Sequence, residues 1–224
     1  HLALVSTLDI LHDPRWGRAE ECYGEDPFLA ARMTEAAVRG LQGQNTEALP
    51  GGTEVAAVVK HFCAQGAAIG GHNGRSTLIG ERELREIHLP GMKAAVSAGA
   101  MSCMAAYNDI DGIPCHANKK LLTAILREQW GFEGVVMSDG MALDQLLKIS
   151  GDLETAGAMG LDAGVDLSLW GDAFALMEKA VQRGLIKEAT IDRSVRRVLK
   201  LKFTLGLFDR PYTDEEKVKH VLSS

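Results

Sequence analysis

The sequence predicts an α/β fold in which helices cover a parallel β-sheet. Apolar, strand-like runs alternate along the chain with segments of helical periodicity, which is the order typical of parallel sheets. Each run is apolar almost throughout instead of alternating with polar residues, which indicates strands buried on both faces. The five runs cover residues 2–10, 55–62, 101–107, 135–139 and 165–169.

Two architectures agree with this order of elements: a doubly wound open sheet, and a (β/α)8 barrel without its first strand-helix units. The junction after the first strand is Asp13-Pro14-Arg15-Trp16-Gly17-Arg18, which lacks the Gly-x-Gly-x-x-Gly pattern of dinucleotide-binding sheets. Polar residues follow the first four strands, as expected for a barrel that places its chemistry at the carboxyl ends of its strands. We therefore predict a TIM-like (β/α)8 barrel whose first strand-helix units are missing from this chain.

The predicted helices have recognisable starts and breaks. Asp26 and Pro27 suit the N-cap and the first helical position, and Asn118 suits the N-cap of a later helix. Pro90 has no backbone N–H, so the helical segment 81–98 should break there. The first helix is predicted to bury Leu29, Met33, Ala36, Ala37 and Leu41, and the last helix Ile191, Val195, Val198, Leu199 and Phe203.

Composition excludes several classes of protein. The 224 residues are 46% hydrophobic and 24% charged, which suits one globular domain, and residues 43–53 are rich enough in turn formers to be a linker. A net charge of −6 argues against a nucleic-acid partner, and no apolar run approaches the roughly 20 residues that span a membrane. The cysteines are far apart and predict lone thiols, which favour a cytoplasmic location; a periplasmic or secreted one stays open.

The stretch Gly131–Gly140 carries the acid on which the functional interpretation depends. Its apolar run Val135–Met137 is followed by Asp139, at the carboxyl end of a predicted buried strand. That carboxylate must be paired or face a cleft, because an unpaired buried charge costs on the order of several kcal/mol. An N-cap of the following helix and a functional acid both stay open. Asp9 and Asp166 are weaker candidates, since an apolar pair follows Asp9 and Asp166 lies within its strand.

Basic and aromatic side chains follow the other strands. Lys60 and His61 come after an apolar run, where an unpaired ammonium is costly. Because adjacent strand residues point to opposite faces, both reach one cleft only if the backbone departs from strand geometry, for example through a cis peptide. Arg18 has a plainer interpretation as the ion-pair partner of nearby acids, and Tyr107 as a turn residue. With Asp139, these groups suit the hydroxyls of a polyol or a sugar.

An ordered set of motifs then identifies a family. The motifs are Leu8-Asp9-Ile10, Asp13-Pro14-Arg15-Trp16-Gly17-Arg18, Tyr23-Gly24-Glu25-Asp26-Pro27, Val59-Lys60-His61-Phe62, Gly80-Glu81-Arg82-Glu83-Leu84-Arg85-Glu86, Met104-Ala105-Ala106-Tyr107-Asn108, Asp111-Gly112-Ile113-Pro114-Cys115, Leu126-Arg127-Glu128-Gln129-Trp130-Gly131-Phe132, Val136-Met137-Ser138-Asp139 and Leu201-Lys202-Phe203-Thr204-Leu205-Gly206-Leu207-Phe208. In this order they resemble glycoside hydrolase family 3, specifically the N-terminal barrel domain of its β-glucosidase and β-xylosidase group.

The resemblance implies a function. Asp139 resembles the family's nucleophile in a retaining, exo-acting β-glycosidase that works through a covalent glycosyl-enzyme intermediate without a cofactor or a metal. The implied substrate is an oligosaccharide or an aryl or alkyl β-glycoside, with the choice between β-glucosidase and β-xylosidase open. The residues that resemble substrate-binding positions are Arg18, Lys60, His61, Met104 and Tyr107.

The chain also departs from the family pattern. Gly140 stands where the family often has a stacking Trp after the nucleophile; Trp170 is a candidate substitute, although core packing is the favoured expectation for it. Cys63-Ala64-Gln65-Gly66 replaces the Pro-Gly-His-Gly run of the N-acetylglucosaminidase branch, which disfavours that branch. In the glucosidase branch the acid/base residue lies in a following domain and a sugar-binding Asp lies before the segment that starts at His1, so both are expected outside this chain.

The expected domain division follows from the same resemblance. Residues 1–208 are expected to form a partial barrel domain, and residues 209–224 the start of a linker to a C-terminal domain. Two other functions stay open: a barrel lyase or aldolase that uses Lys60 as a Schiff base, and a catalytically silent barrel that binds sugar without hydrolysing it.

Overall fold

The computed structural model describes residues 2–43, 54–212, 215, 216 and 218. Its strands are β1 (Leu2–Thr7), β2 (Ala56–Phe62), β3 (Ser102–Ala105), β4 (Asp109–Ile110), β5 (Ile113–Pro114) and β6 (Val135–Met137). Strands β1, β2, β3 and β6 form a parallel sheet in that order, and β4 pairs with β5 in a separate antiparallel ribbon. Every crossover moves one position in the same direction, as in a barrel, whereas a doubly wound sheet reverses. Over the described residues the sheet is an open arc.

The helices are α1 (Pro27–Gln42), α2 (Glu81–Glu83), α3 (Pro90–Ser97), α4 (Leu147–Ser150), α5 (Leu153–Ala163), α6 (Met177–Gln182) and α7 (Glu188–Thr204), with π-helical segments at Leu84–His88 and Lys120–Gln129. The Asp26 carboxylate accepts the Phe28 N–H at 2.8 Å, which confirms the predicted N-cap of α1. Pro90 begins α3 after the preceding helical segment ends, so the predicted break is also confirmed. None of the helices in the described ranges is both long and apolar enough to cross a bilayer.

The predicted apolar face of α1 is wrong at Leu29 and Met33, whereas Leu41 packs against the main core. Leu29 and Met33 are 47% and 44% exposed, and the buried face consists of Ala30, Thr34, Val38 and Gln42. Helix α1 packs against α3 and β2, and Gln42 at its end makes hydrogen bonds to the backbone. Its side-chain oxygen accepts the N–H groups of Ala57 and Met101, which lie on or beside β2 and β3.

Two further predictions fail near the end of the chain. Val195, Leu199 and Phe203 of α7 are exposed. Ile191 packs as predicted, against the cluster around Leu161, and Leu201 packs against the cluster of Ala56 and Met101. The predicted strand 165–169 is reduced to one bridge between Met137 and Leu167. There the Asp166 side chain, not a backbone carbonyl, accepts the Val136 N–H at 2.9 Å. Helix α5 was not predicted, and most of the predicted linker, residues 44–53, lies outside the described residues.

Candidate active site

The loop after β1 and the ends of β2 and β6 bring four predicted side chains together. The Nε2 atom of His61 lies 3.3 Å from Nη1 of Arg18 and 3.5 Å from Oδ2 of Asp139. The Nζ atom of Lys60 lies 3.7 Å from Oε2 of Glu21, which pairs with Arg18. The peptide bond between Lys60 and His61 is cis, as the sequence analysis suggested.

Asp9 holds the His61 ring in its orientation. The Asp9 side chain is fully buried, and its Oδ2 atom accepts the His61 backbone N–H at 3.1 Å and lies 2.7 Å from His61 Nδ1. Its Oδ1 atom accepts the Gln65 backbone N–H at 3.1 Å. With the Nδ1 proton assigned to the bond with Asp9, Nε2 is the ring atom presented to Arg18 and Asp139.

Arg18 and Lys60 share one acid. The Nε and Nη2 atoms of Arg18 donate to the two carboxylate oxygens of Glu21, each at 2.7 Å. These hydrogen bonds lower the pKa of Glu21 to about 2, with a smaller contribution from Lys60, and raise the pKa of Arg18. The plainer interpretation of Arg18 as an ion-pair partner therefore holds, yet the same guanidinium also reaches His61. Glu21 is ionised near neutral pH and holds two cations beside the histidine.

The two carboxylate oxygens of Asp139 have different surroundings. Oδ1 accepts the Gly140 backbone N–H at 2.8 Å, a local contact of the capping kind. Oδ2 is buried, has no hydrogen-bond partner among the described residues, and lies 3.5 Å from His61 Nε2. The Asp139 side chain as a whole is 13% exposed. One oxygen stabilises the turn, and the other is available to accept a hydrogen bond or to attack an electrophile.

A second buried histidine holds the backbone of Asp139. The Nε2 atom of His116 accepts the Asp139 backbone N–H at 3.1 Å. Burial, and to a smaller extent His61, lowers the pKa of His116 to about 3, so the ring is neutral and able to accept. The Ser138 hydroxyl also holds this turn, because it donates to the Asp139 carbonyl oxygen and accepts the Leu169 N–H, each at 2.9 Å.

Tyr107 is tied to the same turn. Its hydroxyl donates to the Gly140 carbonyl oxygen at 2.8 Å, and its backbone N–H donates to the Gln65 side chain at 3.1 Å. Burial, followed by the charge of Asp139, raises the pKa of Tyr107 to about 12. The phenol therefore stays protonated at neutral pH and remains a hydrogen-bond donor next to the candidate acid.

Met104 and Trp170 are the two apolar candidates for substrate contact, and they differ in exposure. Met104 is 2% exposed and lies in an apolar cluster with Val58 and Met137, so a contact with substrate stays a prediction. Trp170 is 74% exposed, so the expectation that it packs in the core is wrong; its backbone φ is 58°. A Cβ atom at Gly140 would lie 3.1 Å from the Trp170 ring, so the indole occupies the space that a side chain at position 140 would need.

Sequence reasoning missed His116 as a member of the site; it weighed Asp9 only as a weaker candidate acid and Glu21 only as an ion-pair partner of Arg18. Asp9 and His61 are 52 residues apart, and His116 and Asp139 are 23 residues apart, so no local pattern marks either pair. One usable signal existed for Asp9. It follows the strand next to the one that carries His61, and ends of neighbouring parallel strands meet at one edge of a sheet.

The arrangement offers an available carboxylate oxygen beside a histidine and two cations. Such a carboxylate can attack or stabilise an electron-poor carbon, while Arg18 and Lys60 can donate charge-assisted hydrogen bonds to ligand oxygens. The described residues around Asp139 do not include three possible metal-ligand atoms close to one another. In the part of the chain that the structure describes, the one grouping of possible ligand atoms comprises His12, Glu83 and His88.

Fold and site together define a (β/α)-barrel domain with an acid-centred site at the carboxyl ends of its strands. The chain belongs to glycosyl hydrolase family 3: the model of the family's N-terminal domain, described as "Glycosyl hydrolase family 3 N terminal domain", matches residues 1–201. The predicted family resemblance and barrel class are thereby confirmed.

Similar proteins cover this chain almost entirely. It is 42% identical to a putative beta-xylosidase of Formosa agariphila, over 98% of this chain and 30% of that protein. It is 35% identical to the periplasmic beta-glucosidase of Salmonella typhimurium, over 92% of this chain and 27% of that protein. A crystal structure of a beta-glucosidase from Listeria innocua in complex with glucose matches with a TM-score of 0.92 and 37% identity, over 95% of this chain and 30% of that chain. The chain thus spans about 30% of the length of these relatives.

Proposed function

We propose that the complete protein is a retaining, exo-acting β-glycosidase, either a β-glucosidase or a β-xylosidase, and that Asp139 is its nucleophile. The observation that carries the proposal is the buried Oδ2 atom of Asp139, which has no hydrogen-bond partner among the described residues. The relatives support the reaction class, because they are named beta-xylosidase and beta-glucosidase and one of them binds glucose. The exo mode and the retaining course extend the family resemblance.

In the proposed first step, Oδ2 of Asp139 attacks the anomeric carbon of a β-glycoside while an acid protonates the leaving oxygen. The bond to the leaving group breaks, and a glycosyl ester of inverted configuration forms on Asp139. Water then attacks the same carbon, and its proton passes to the group that acted as the acid. Two inversions restore the original configuration and release the carboxylate.

The side chains around Asp139 supply the binding groups for the sugar. Arg18 and Lys60 carry donors beside the acid, and His61 presents Nε2 in the same place. Charged hydrogen bonds are typically worth about 1.5–3 kcal/mol, enough to orient a hydroxylated ring. Tyr107 and Met104 line the pocket in this proposal, and the exposed indole of Trp170 offers a face for the leaving group.

A retaining mechanism needs a second group about 5–5.5 Å from the nucleophile, to act as acid and then as base. The two acids nearest in the network do not suit this role. Glu21 has a pKa near 2 and is held by Arg18, and Asp9 is fully buried and accepts hydrogen bonds from His61 and Gln65. We assign the acid/base to a part of the complete protein outside this chain. In this proposal residues 1–208 are barrel and residues 209–224 lead to a following domain.

The lyase or aldolase alternative depends on Lys60. A Schiff base requires an uncharged amine, whereas Lys60 Nζ lies 3.7 Å from the Glu21 carboxylate, an ion-pair partner for an ammonium. Borohydride treatment with substrate separates the two functions, because it traps a Schiff base on Lys60 and leaves a glycosidase unmodified.

Labelling tests the proposed nucleophile. A 2-deoxy-2-fluoroglycoside with a good leaving group should inactivate the complete protein and add one sugar to the peptide that contains residues 137–140. Excess glucose or xylose should slow the labelling. Modification of a different carboxylate would reject Asp139, and sugar binding without labelling or hydrolysis would favour the catalytically silent barrel.

A further inference from the structure

A cluster outside the candidate active site brings two histidines and one glutamate together. The Nδ1 atom of His12 lies 3.6 Å from Oε1 of Glu83, and the Nε2 atom of His88 lies 3.9 Å from the same oxygen. One ligand atom from each residue lies within 4.8 Å of the others. In a tetrahedral site with metal-ligand distances of about 2.0–2.1 Å, neighbouring ligand atoms are about 3.4 Å apart. The two spacings from the Glu83 oxygen therefore need to close by about half an ångström or less, and the spacing between the two histidines by at most about 1.4 Å.

The helix geometry explains why Glu83 and His88 lie on one side. They are five residues apart, a spacing that separates side chains on a regular α-helix. Here the segment Leu84–His88 is π-helical, and the Leu89 N–H donates to the carbonyl of Leu84, five residues earlier, at 3.0 Å. This hydrogen-bond pattern places residues five apart above one another, and such segments are frequent at functional sites.

His88 is the independent sign that the cluster has a ligand. Its side chain is fully buried, and neither ring nitrogen has a hydrogen-bond partner among the described residues. Buried polar atoms are nearly always paired, so this ring has unused hydrogen-bonding capacity, and its Nε2 atom lies 3.9 Å from Glu83 Oε1.

We infer that His12, Glu83 and His88 bind a divalent transition-metal cation of the zinc type. Two imidazole nitrogens and one carboxylate favour zinc over calcium or magnesium, which prefer oxygen ligands. The side chains of His12 and Glu83 are 51% and 35% exposed, which leaves room for a water as the fourth ligand. The cation would join the loop after β1 to the helical segment before α3. It stabilises the loop that carries Arg18 and has no part in the glycosidase chemistry.

Zinc binding to the complete protein tests the inference. The chelator-treated protein is titrated with ZnCl2 against a chromophoric competitor, and Co²⁺ serves as a spectroscopic probe of nitrogen ligands. His12→Asn is the main variant, because His12 is exposed and its substitution should leave the fold intact. His72→Asn is the control at another exposed histidine. Loss of a supporting group alone weakens metal affinity about 10–100-fold, so loss of a ligand should weaken it by more than about 100-fold.

The expected result is one zinc equivalent fewer in His12→Asn than in the unmodified protein and in His72→Asn. Zinc should also raise the Tm of the unmodified protein and of His72→Asn by more than that of His12→Asn, a readout independent of hydrolysis. Glu83→Gln should behave like His12→Asn. Equal zinc stoichiometry and affinity in His12→Asn and the unmodified protein would overturn the inference, and so would displacement of zinc by equimolar Ca²⁺.

Discussion

Two acids close to β6 show how differently one fold treats a buried carboxylate. Asp166 is fully buried, and both of its oxygens are occupied: Oδ2 accepts from Arg127 at 2.6 Å and from the Val136 N–H at 2.9 Å, and Oδ1 accepts from Arg197 at 2.9 Å. Asp139 is nearly as buried, yet its Oδ2 atom has no hydrogen-bond partner in the described part of the chain.

The difference separates a structural acid from a candidate catalytic one. Buried polar atoms are almost always satisfied, because an unsatisfied one costs free energy on folding. Asp166 follows that rule and links β6 to α7 through Arg197. Asp139 departs from it, in a side chain that is 13% exposed and not fully enclosed. A protein retains such an unmet acceptor where a ligand or a reacting atom satisfies it.

The largest expected effect belongs to Asp139→Gly, tested as activity. Breaking a catalytic unit costs on the order of 10⁴-fold in kcat, and the variant should be nearly inactive on an aryl β-glycoside. The gap left by the side chain should admit azide, which restores turnover and gives the α-glycosyl azide after a single inversion. The control is Asp162→Gly, at an exposed acid. It should keep its activity on the glycoside, and azide should not change that activity. Near-normal activity of Asp139→Gly would remove the distinction between the two acids.

The complementary change, Asp166→Asn, should affect stability. It leaves Arg127 and Arg197 beside a neutral group, and breaking a buried ion pair typically costs about 3–5 kcal/mol. Thermal and urea unfolding of the complete protein should show this loss, while kcat per folded molecule stays close to normal. Asp139→Asn, as the matched variant, should lose activity and change stability by less than about 1 kcal/mol. The comparison fails if Asp166→Asn is stable and inactive.

Lys60→Ala tests whether Lys60, near Asp139, binds the sugar. Loss of a charged hydrogen bond should lower kcat/KM on an aryl β-glucoside by about 1.5–3 kcal/mol, which is about 10–150-fold. The control is Lys119→Ala, whose exposed ammonium pairs with Asp162 on the surface. An unchanged kcat/KM in Lys60→Ala would exclude Lys60 from sugar binding, because the loss of a hydrogen bond to the substrate must lower kcat/KM.

Local signals predicted much of the fold, and contacts distant in sequence account for most errors. The cap at Asp26 and the break at Pro90 depend on the residue itself, so the structure confirms them. Leu29 and Phe203 were placed in buried faces on periodicity alone, yet both are exposed. Periodicity identifies a helix, but the element against which the helix packs determines which face is buried. Gln42 shows that a polar residue can lie on the buried face.

The candidate site was predictable to a similar extent. Arg18 lies in the loop after β1, Lys60 lies near the carboxyl end of β2, and Asp139 follows β6. Parallel strands end at one edge of a sheet, so the proximity of these residues follows from the fold class. The groups that orient them carry no such signal, because Asp9 and His116 act through hydrogen bonds to residues far away in sequence. The turn at Gly140 determines which oxygen of Asp139 has a hydrogen-bond partner. No sequence pattern predicts this contact.

Tyr107→Phe should have the smallest effect and the most specific pH dependence. The change removes one neutral hydrogen bond, from the Tyr107 hydroxyl to the Gly140 carbonyl oxygen, which is worth about 0.5–1.5 kcal/mol. The fold raises the pKa of Tyr107 from 10.0 to about 12, so the folded protein keeps the phenol protonated over a range in which the unfolded chain ionises. The stability advantage of the unmodified protein over Tyr107→Phe should therefore be constant below pH 10 and fall between pH 10 and about 12. Urea unfolding of both proteins from pH 8 to pH 11 measures this difference, with Tyr212→Phe at an exposed tyrosine as the control. A difference that grows above pH 10 would mean that the phenol is not held as a donor beside Asp139.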